Sequence, residues 1–320
     1  MRLSRLLATA GLSLGLTLSA SAAETDWSKV ADALGKSGTE MPGGVYRVGL
    51  PRTDLHVTLD GVELEPAFAL GSWLAFKASG DTAMVMGDLV LTEDEVNPVM
   101  KRLEENGVEI TALHNHLLRA QPAPFYMHVL GHGDPAKLAA ALHEAIALSK
   151  TPLGGAAMAS APPGSTPGAA PASAGEEPAP ARAAAPSQAL DLDTAAIDRT
   201  LGAKGKANGG VYAVSVPRAE PVHNGGMEVP VAMGSAEAIN FQPTGRGKAA
   251  ITGDFVLTAA EVNPVLRALR ENGIEVTALH NHMLDEQPRL FFMHFWAHDD
   301  ALKLARGLRA ALDHVNVARS

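Results

Sequence analysis

The chain contains no cysteine among its 320 residues, and only 4% of the residues are aromatic. The absence of cysteine excludes disulfides and a cysteine nucleophile. Also missing are a Gly-x-Gly-x-x-Gly fingerprint, a P-loop and a Gly-x-Ser-x-Gly elbow, so nothing predicts a nucleotide cofactor or a common nucleophilic hydrolase. Stability must therefore come from the hydrophobic core or from a bound metal.

The chain has little positive charge. It has 26 Lys and Arg against 35 Asp and Glu, and its formal net charge is −9. Because binding to a phosphate backbone requires a basic surface, we expect no nucleic-acid partner.

The long apolar run of the chain lies at its N-terminus. Residues 1–22 combine a basic start at Arg2 and Arg5, an apolar stretch over 6–18 and a small-residue cleavage site at 20–22. The stretch is too short to span a bilayer comfortably, so a signal peptide is favoured over an uncleaved anchor. We therefore expect a periplasmic or secreted protein with no transmembrane segment after cleavage.

A block of sequence occurs twice. Ala112–His116 (ALHNH) returns as Ala278–His282 (ALHNH), and further matches follow at the same offset. Between the copies, residues 151–189 are rich in Ala, Pro, Gly and Ser, a composition typical of a flexible linker. The chain is therefore predicted to hold two homologous domains, at residues 26–150 and 190–320.

Each repeat reads as β, irregular β, β, α, β, β, α. Capping boxes start the first predicted helix at Thr92 and at Thr258. This order predicts an α+β domain, a mainly antiparallel sheet with two helices on one face. A permuted ferredoxin-like arrangement fits it, because β-α-β-β-α is the central run of that fold.

Eight of the 12 histidines lie at matching positions of the two repeats. Side chains alternate across a strand, so the histidines of each His-x-His sequence are predicted to share one face with those of the next strand. Neutral imidazole binds zinc, copper, nickel or iron, so these residues are candidate ligands of a divalent transition metal. The candidates are His114, His116, His128, His132, His280, His282, His294 and His298. The alternative is that they only make hydrogen bonds within the sheet.

The second repeat adds a carboxylate to this pattern. His280, His282 and Glu286 have the spacing of the first cupin motif, and His294 follows. A capped helix precedes the motif and the Gly-rich second cupin motif is missing, so a cupin is not predicted. Ala120 stands in the first repeat where Glu286 stands in the second, so a site of three histidines and a glutamate is available only in the second repeat.

The segments Thr277–Leu284 (TALHNHML) and Pro288–Trp296 (PRLFFMHFW) carry a family resemblance. They resemble the LppY/LpqO-like bacterial envelope proteins, whose domain of unknown function often occurs in two copies. The resemblance covers both repeats and implies an envelope location. Several members are lipoproteins, whereas this chain has no cysteine after its signal. The resemblance implies no activity, cofactor or catalytic residue.

The leading hypothesis is an exported tandem-domain protein that binds a divalent transition metal through its His-x-His segments. One alternative is a metal-independent binding module for a cell-wall polymer or a partner protein. Another is a metal-dependent hydrolase or oxygenase acting on a small molecule. The sequence leaves enzymatic activity, catalytic residues and oligomeric state open.

Overall fold

The computed structural model describes residues 25–153 and 190–318. The predicted signal peptide and residues 154–189 of the predicted linker lie outside the described residues. The first linker residues belong to the packing of the first domain, since Thr151 is buried and Leu153 packs against the domain core.

The first repeat contains eight strands and four helices within residues 25–153. They are α1 (Ser28–Leu34), β1 (Thr39–Met41), β2 (Val45–Pro51), β3 (Thr58–Leu59), β4 (Val62–Glu63), α2 (Pro66–Ala69), β5 (Gly71–Ser79), β6 (Thr82–Leu91), α3 (Glu93–Glu105), β7 (Glu109–His114), β8 (Phe125–Gly133) and α4 (Pro135–Ile146).

The second repeat follows the same plan, with a 3-10 helix in the place of α2. Its elements are α5 (Thr194–Leu201), β9 (Gly205–Asn208), β10 (Val211–Pro217), β11 (His223–Asn224), β12 (Met227–Glu228), the 3-10 helix Val231–Met233, β13 (Ala236–Gly245), β14 (Lys248–Leu257), α6 (Ala259–Glu271), β15 (Glu275–His280), β16 (Glu286–Gln287), β17 (Phe291–Asp300) and α7 (Ala301–Leu312).

Each repeat forms a six-stranded sheet whose hydrogen-bonded neighbours are all antiparallel. The strand orders are β1-β2-β5-β6-β8-β7 and β9-β10-β13-β14-β17-β15. Strands β6 and β7 flank β8 and are joined through α3, which is the split β-α-β unit of ferredoxin-like folds. Strand β5 lies beside β6 but precedes it in the chain, so the arrangement is permuted. The predicted α+β class with two antiparallel domains is confirmed.

The helical face of each domain has one helix more than the sequence predicted. Val30 and Leu34 of α1 lie one turn apart and are fully buried, as are Ile197 and Leu201 of α5. Their spacing places both apolar side chains of each helix on one stripe. These short helices therefore pack beside α4 and α7.

The predicted capping boxes of α3 and α6 are confirmed, and their glutamates have a second role. Glu95 accepts hydrogen bonds from the backbone N–H of Thr92 and from the fully buried Arg52 guanidinium, at 2.9 and 2.8 Å. Glu261 and Arg218 repeat the pair in the second domain. The ion pairs hold the start of each helix against the end of β2 or β10.

The two faces of each sheet have different partners. One face packs against the helices of its own domain and forms a separate hydrophobic core in each repeat. The other faces pack against each other, because two further clusters combine buried residues of both repeats, among them Met86 with Phe292 and Phe68 with Trp296. The molecule is thus a four-layer α/β/β/α arrangement in which the inner face of each sheet lies between the domains.

Within the described residues, no helix combines the length and apolar character needed to cross a membrane.

Candidate metal centre

The histidines of the two repeats meet at the contact between the sheets. His114 ends β7 and His128 lies in β8, while His280 ends β15 and His294 lies in β17. His116 and His282 lie in the loops that follow, because β7 and β15 end at His114 and His280 and do not include the whole His-x-His sequence. In both domains, the strand face that was predicted to carry the histidines is the face that packs against the other domain.

Six imidazole rings form one cluster with approximate two-fold symmetry. Rings from opposite domains pair at centroid distances of 3.5 Å for His114–His280, 3.6 Å for His116–His294 and 3.7 Å for His128–His282. Related distances inside the domains agree closely, at 5.0 Å for His114–His128 and 4.9 Å for His280–His294. The cluster therefore belongs to both repeats together and not to either one.

Two overlapping groups of four histidines have the arrangement of a metal site. In each group, one ring nitrogen per residue lies within 4.8 Å of those of the others. The first group is His114, His116, His128 and His280; the second is His280, His282, His294 and His114. Each group takes three histidines from one domain and one from the other, and both share His114 and His280.

The ring nitrogens of the cluster are buried and largely unpaired. Several have no hydrogen-bond partner among the described residues, namely His114 Nδ1 and Nε2, His116 Nε2, His128 Nε2, His280 Nδ1 and His294 Nε2. Two others, Nε2 of His280 and Nε2 of His282, face each other at 3.1 Å. Burying a polar atom without a hydrogen-bond partner costs free energy, so a ligand that contacted these nitrogens would stabilise the fold.

Burial keeps five of the six imidazoles uncharged. It lowers the pKa of His114 to about 3, with a smaller contribution from His294. Burial also lowers the pKa of His280, and it holds the pKa values of His116, His128 and His282 well below the usual range, as do neighbouring histidines. These imidazoles are neutral at pH 7, which is the protonation state that binds a metal.

Two aspartates stand behind the histidines. Asp254 of β14 lies opposite His294 in the sheet, with 2.8 Å between its Oδ1 and the ring Nδ1. The same Nδ1 lies 3.1 Å from Gly253 O, so both contacts hold the ring with Nε2 pointing away from the carboxylate, the usual geometry of a metal-binding histidine with a carboxylate behind it. Asp88 takes the same strand position in the first repeat, but its Oδ1 lies 3.9 Å from His128 Nε2, beyond hydrogen-bonding distance. Burial raises the pKa of Asp88 well above its usual range, and the charge of Asp254 adds to this.

Three predicted ligands lie away from the cluster. His132 and His298 follow His128 and His294 on the same strand faces, but both are exposed, and His298 Nε2 contacts Thr244 Oγ1 at 2.9 Å. Glu286 is buried, yet it accepts hydrogen bonds from the backbone N–H of Leu290 at 3.0 Å and from Arg289 at 3.3 Å. Glu286 thus stabilises the turn before β17 and does not join the histidines.

A cavity of about 770 Å³ adjoins one side of the cluster. It reaches His116, His294, Asp88 and Asp254, and its wall includes the Arg47 guanidinium. Arg47 was not predicted as a site residue, because a single arginine in a strand has no distinguishing spacing. A comparison of the two repeats could have singled out Arg47, because Ala213 occupies the matching position in β10.

Comparisons with solved structures return two bacterial proteins of low similarity. The trimeric microcompartment shell protein PduB is 12% identical, with 89% of this chain and 96% of that chain covered and a TM-score of 0.21. EtuB from Clostridium kluyveri is 8% identical, with 87% and 90% covered and a TM-score of 0.19.

No curated protein matches the chain. The family described as Domain of Unknown Function (DUF1259) matches residues 28–148 and again residues 195–314, which together make up most of the sequence. Both matches contain a complete His-x-His segment and the strand that pairs with it. The chain therefore belongs to the Domain of Unknown Function (DUF1259) family and carries the domain twice.

Proposed function

We propose that the protein binds a divalent transition metal ion between its two domains. The carrying observation is the cluster of six histidines with buried, unpaired ring nitrogens. The proposed ligands are His114, His116, His128, His280, His282 and His294.

The energetics of burial favour this function over a purely structural role. Each buried polar atom left without a partner costs about 1–3 kcal/mol. A structural histidine normally avoids that cost through a hydrogen bond to a carbonyl or carboxylate, as His143 does with Leu34 O at 2.8 Å. His294 Nδ1 makes such a contact with Gly253 O at 3.1 Å, but six other ring nitrogens of the cluster have no partner among the described residues, and a shared cation would satisfy several of them at once.

The type of ligand atom limits which metals the site can bind. All the clustered ligands are imidazoles, which suit zinc, copper, nickel and iron better than the oxygen-seeking calcium or magnesium. The carboxylate of Asp254 lies behind one proposed ligand, with 2.8 Å between its Oδ1 and His294 Nδ1. The two overlapping groups share His114 and His280, so the centre holds one ion, or two ions close together.

A metal-dependent reaction on a small molecule is the second candidate function. The observation that favours it is the cavity, which opens a path to His116 and His294 at the edge of the cluster. A metal-independent module for a polymer or partner protein has less support, since the histidines face each other between the sheets and not an exposed groove.

The cellular setting is part of the same proposal. We infer export to the periplasm or beyond from the predicted signal peptide at 1–22, with domains at 26–150 and 190–320 joined by a linker at 151–189. We also infer membership of the LppY/LpqO-like group of envelope proteins from the segments around His280 and His294.

The test is elemental analysis of the untagged protein, with melting curves before and after chelation. We expect one or two equivalents of one transition metal and a lower melting temperature after chelation. The double variant His114→Ala/His280→Ala removes the residues common to both groups and should lose the metal.

The repeats supply a matched control. His132→Ala/His298→Ala also removes one histidine from each domain, but at exposed positions outside the cluster. This variant should keep the metal content of the wild type. Metal-free wild-type protein whose melting ignores added zinc, copper, nickel and iron would reject the function.

A further inference from the structure

The cavity beside the histidine cluster breaks the symmetry of the molecule. On the cavity side, the paired strand residues Asn240 and Thr252 form part of the wall. The matching pair on the other side is Ala75 and Met86, which belong to an interdomain hydrophobic cluster. One side of the metal centre is therefore open and polar, whereas its counterpart is filled and apolar.

Two further differences between the repeats lie at this cavity. The first repeat has Arg47 and Trp73, with the guanidinium carbon 4.0 Å from the centre of the indole ring. The second repeat has Ala213 and Ala238 at the equivalent strand positions. Ala238 lines the cavity, whose volume of about 770 Å³ is in the range of small-molecule sites.

The inner end of the cavity is lined by an arginine and by two aspartates. Arg47 is the one Lys or Arg of the described chain that lines it, and it donates a hydrogen bond to the backbone oxygen of Ala232. Burial lowers the pKa of Arg47 to about 10, so its side chain stays charged at neutral pH. Asp88 and Asp254 lie at the same end. Asp88 Oδ1 is buried and accepts no hydrogen bond from a described residue, whereas Asp254 Oδ1 lies 2.8 Å from His294 Nδ1.

The charges and hydrogen-bonding groups define a ligand class. A divalent ion and Arg47 carry three positive charges against no more than two negative charges on the aspartates, so a ligand carboxylate offsets an excess of positive charge. The unpaired Oδ1 of Asp88 can form a hydrogen bond with a hydroxyl. A hydroxyl and a neighbouring carboxylate are also oxygen ligands that can bind one metal ion together.

We propose that this cavity binds a small hydroxycarboxylate, with its carboxylate on Arg47 and its hydroxyl toward the aspartates and the metal. The inference rests on the proposed function for the metal contact, while the contact with Arg47 is independent of it. Phe68, Pro66 and Ala67 provide an apolar wall for the rest of the molecule.

Three related compounds test the proposal by titration calorimetry on the full-length, metal-loaded protein. Mandelate carries both groups, phenylacetate lacks the hydroxyl and mandelamide lacks the charge. We expect mandelate to bind about 10-fold or more tightly than either analogue, since each loses a hydrogen bond to a charged partner. Equal affinities for the three compounds, or no binding of any, would overturn the proposal.

Two variants locate the binding. Arg47→Ala should abolish the preference for mandelate over mandelamide, and Ala238→Trp should fill the cavity and prevent binding of both. Arg267→Ala removes an exposed arginine of α6 and should change neither affinity. Mandelate binding that is unchanged in Ala238→Trp would place the compound elsewhere and reject the cavity.

Metal content measured on the same samples separates the two proposals. Retained metal in Ala238→Trp shows that the variant is folded, so lost mandelate binding then reports the cavity alone. Wild-type protein that holds metal but does not bind mandelate contradicts the hydroxycarboxylate site and leaves the metal function standing. Protein that holds no metal contradicts the proposed function itself.

Discussion

The lowered pKa values of five clustered histidines affect the stability of the metal-free protein. The pKa of His114 falls from about 6.5 in an unfolded chain to about 3 in the fold, and the pKa values of His116, His128 and His282 fall in the same direction. Between these values the unfolded chain binds more protons than the folded one. The contribution to stability is therefore complete above about pH 6.5 and is lost as the pH falls toward 3.

We expect the free energy of unfolding of the chelated protein to decrease below about pH 6.5, by roughly 1.4 kcal/mol per pH unit for each fully titrating histidine. Urea unfolding at several pH values measures the slope. His114→Ala/His280→Ala should flatten it, whereas His132→Ala/His298→Ala should not. If the wild type and both variants showed the same dependence of unfolding free energy on pH, the dependence would arise from groups other than His114 and His280.

Asp254 tests whether a carboxylate tunes the centre through a histidine. Asp254→Asn keeps the size of the side chain but removes the charge 2.8 Å from His294 Nδ1. We expect metal affinity to fall about 10- to 100-fold. Competition with a chelator of known affinity measures the change. Asp313→Asn, at an exposed position after α7, serves as the control and should leave the affinity unaltered.

At the scale of elements, the ends of β7 and β15 position the loop histidines. Each strand is irregular in its pairing next to a threonine, Thr111 or Thr277. Thr111 Oγ1 donates a hydrogen bond to the backbone oxygen of His282 in the other domain, at 2.6 Å. The buried Thr277 hydroxyl has no such partner among the described residues. Thr111 of β7 therefore anchors the loop that carries His282, whereas Thr277 of β15 makes no equivalent contact.

This difference gives a paired test. Thr111→Val should lower stability by about 1 kcal/mol and weaken metal binding several-fold, because the loop that carries His282 loses its anchor. Thr277→Val makes the same chemical change without removing a hydrogen bond and should have little effect on metal binding. Melting curves and chelator competition measure both, and equal losses in the two variants would contradict the anchoring role.

Local elements were the part of the fold that the sequence predicted well. The capping boxes at Thr92 and Thr258 start α3 and α6, since such caps depend on residues three positions apart. The alternation along β8 and β17 also holds, because it follows from strand geometry alone. Helices α1 and α5 were missed because each is short and has few apolar positions, and packing against α4 or α7 stabilises it.

For the whole molecule, the proposed metal centre lies in the contact between the two domains. Each group of four histidines needs one residue from the opposite domain. The hydrophobic clusters on both sides of the centre also combine the two repeats, and Trp296 Nε1 donates a hydrogen bond to Asp60 Oδ2 across the contact at 3.0 Å. We therefore expect metal and domain association to depend on each other.

Cleavage at a protease site introduced between residues 154 and 189 tests this dependence. The two fragments should co-elute in size-exclusion chromatography with the metal content of the intact protein. Chelation should raise their dissociation constant about 10-fold or more, because metal bound only to the pair stabilises the pair. Fragments that separate while one of them keeps all the metal would show that a single domain suffices.

The sequence by itself determined the duplication, the α+β class and the histidines that share a strand face, because these depend on residue order and on periods of a few residues. Only the tertiary structure decided that six histidines from two domains form one cluster, and that His132, His298 and Glu286 lie outside it. Only the tertiary structure also revealed the cavity beside Arg47. The reason is physical: strand periodicity specifies which way a side chain points, whereas the partner it meets depends on how two separately folded sheets pack against each other.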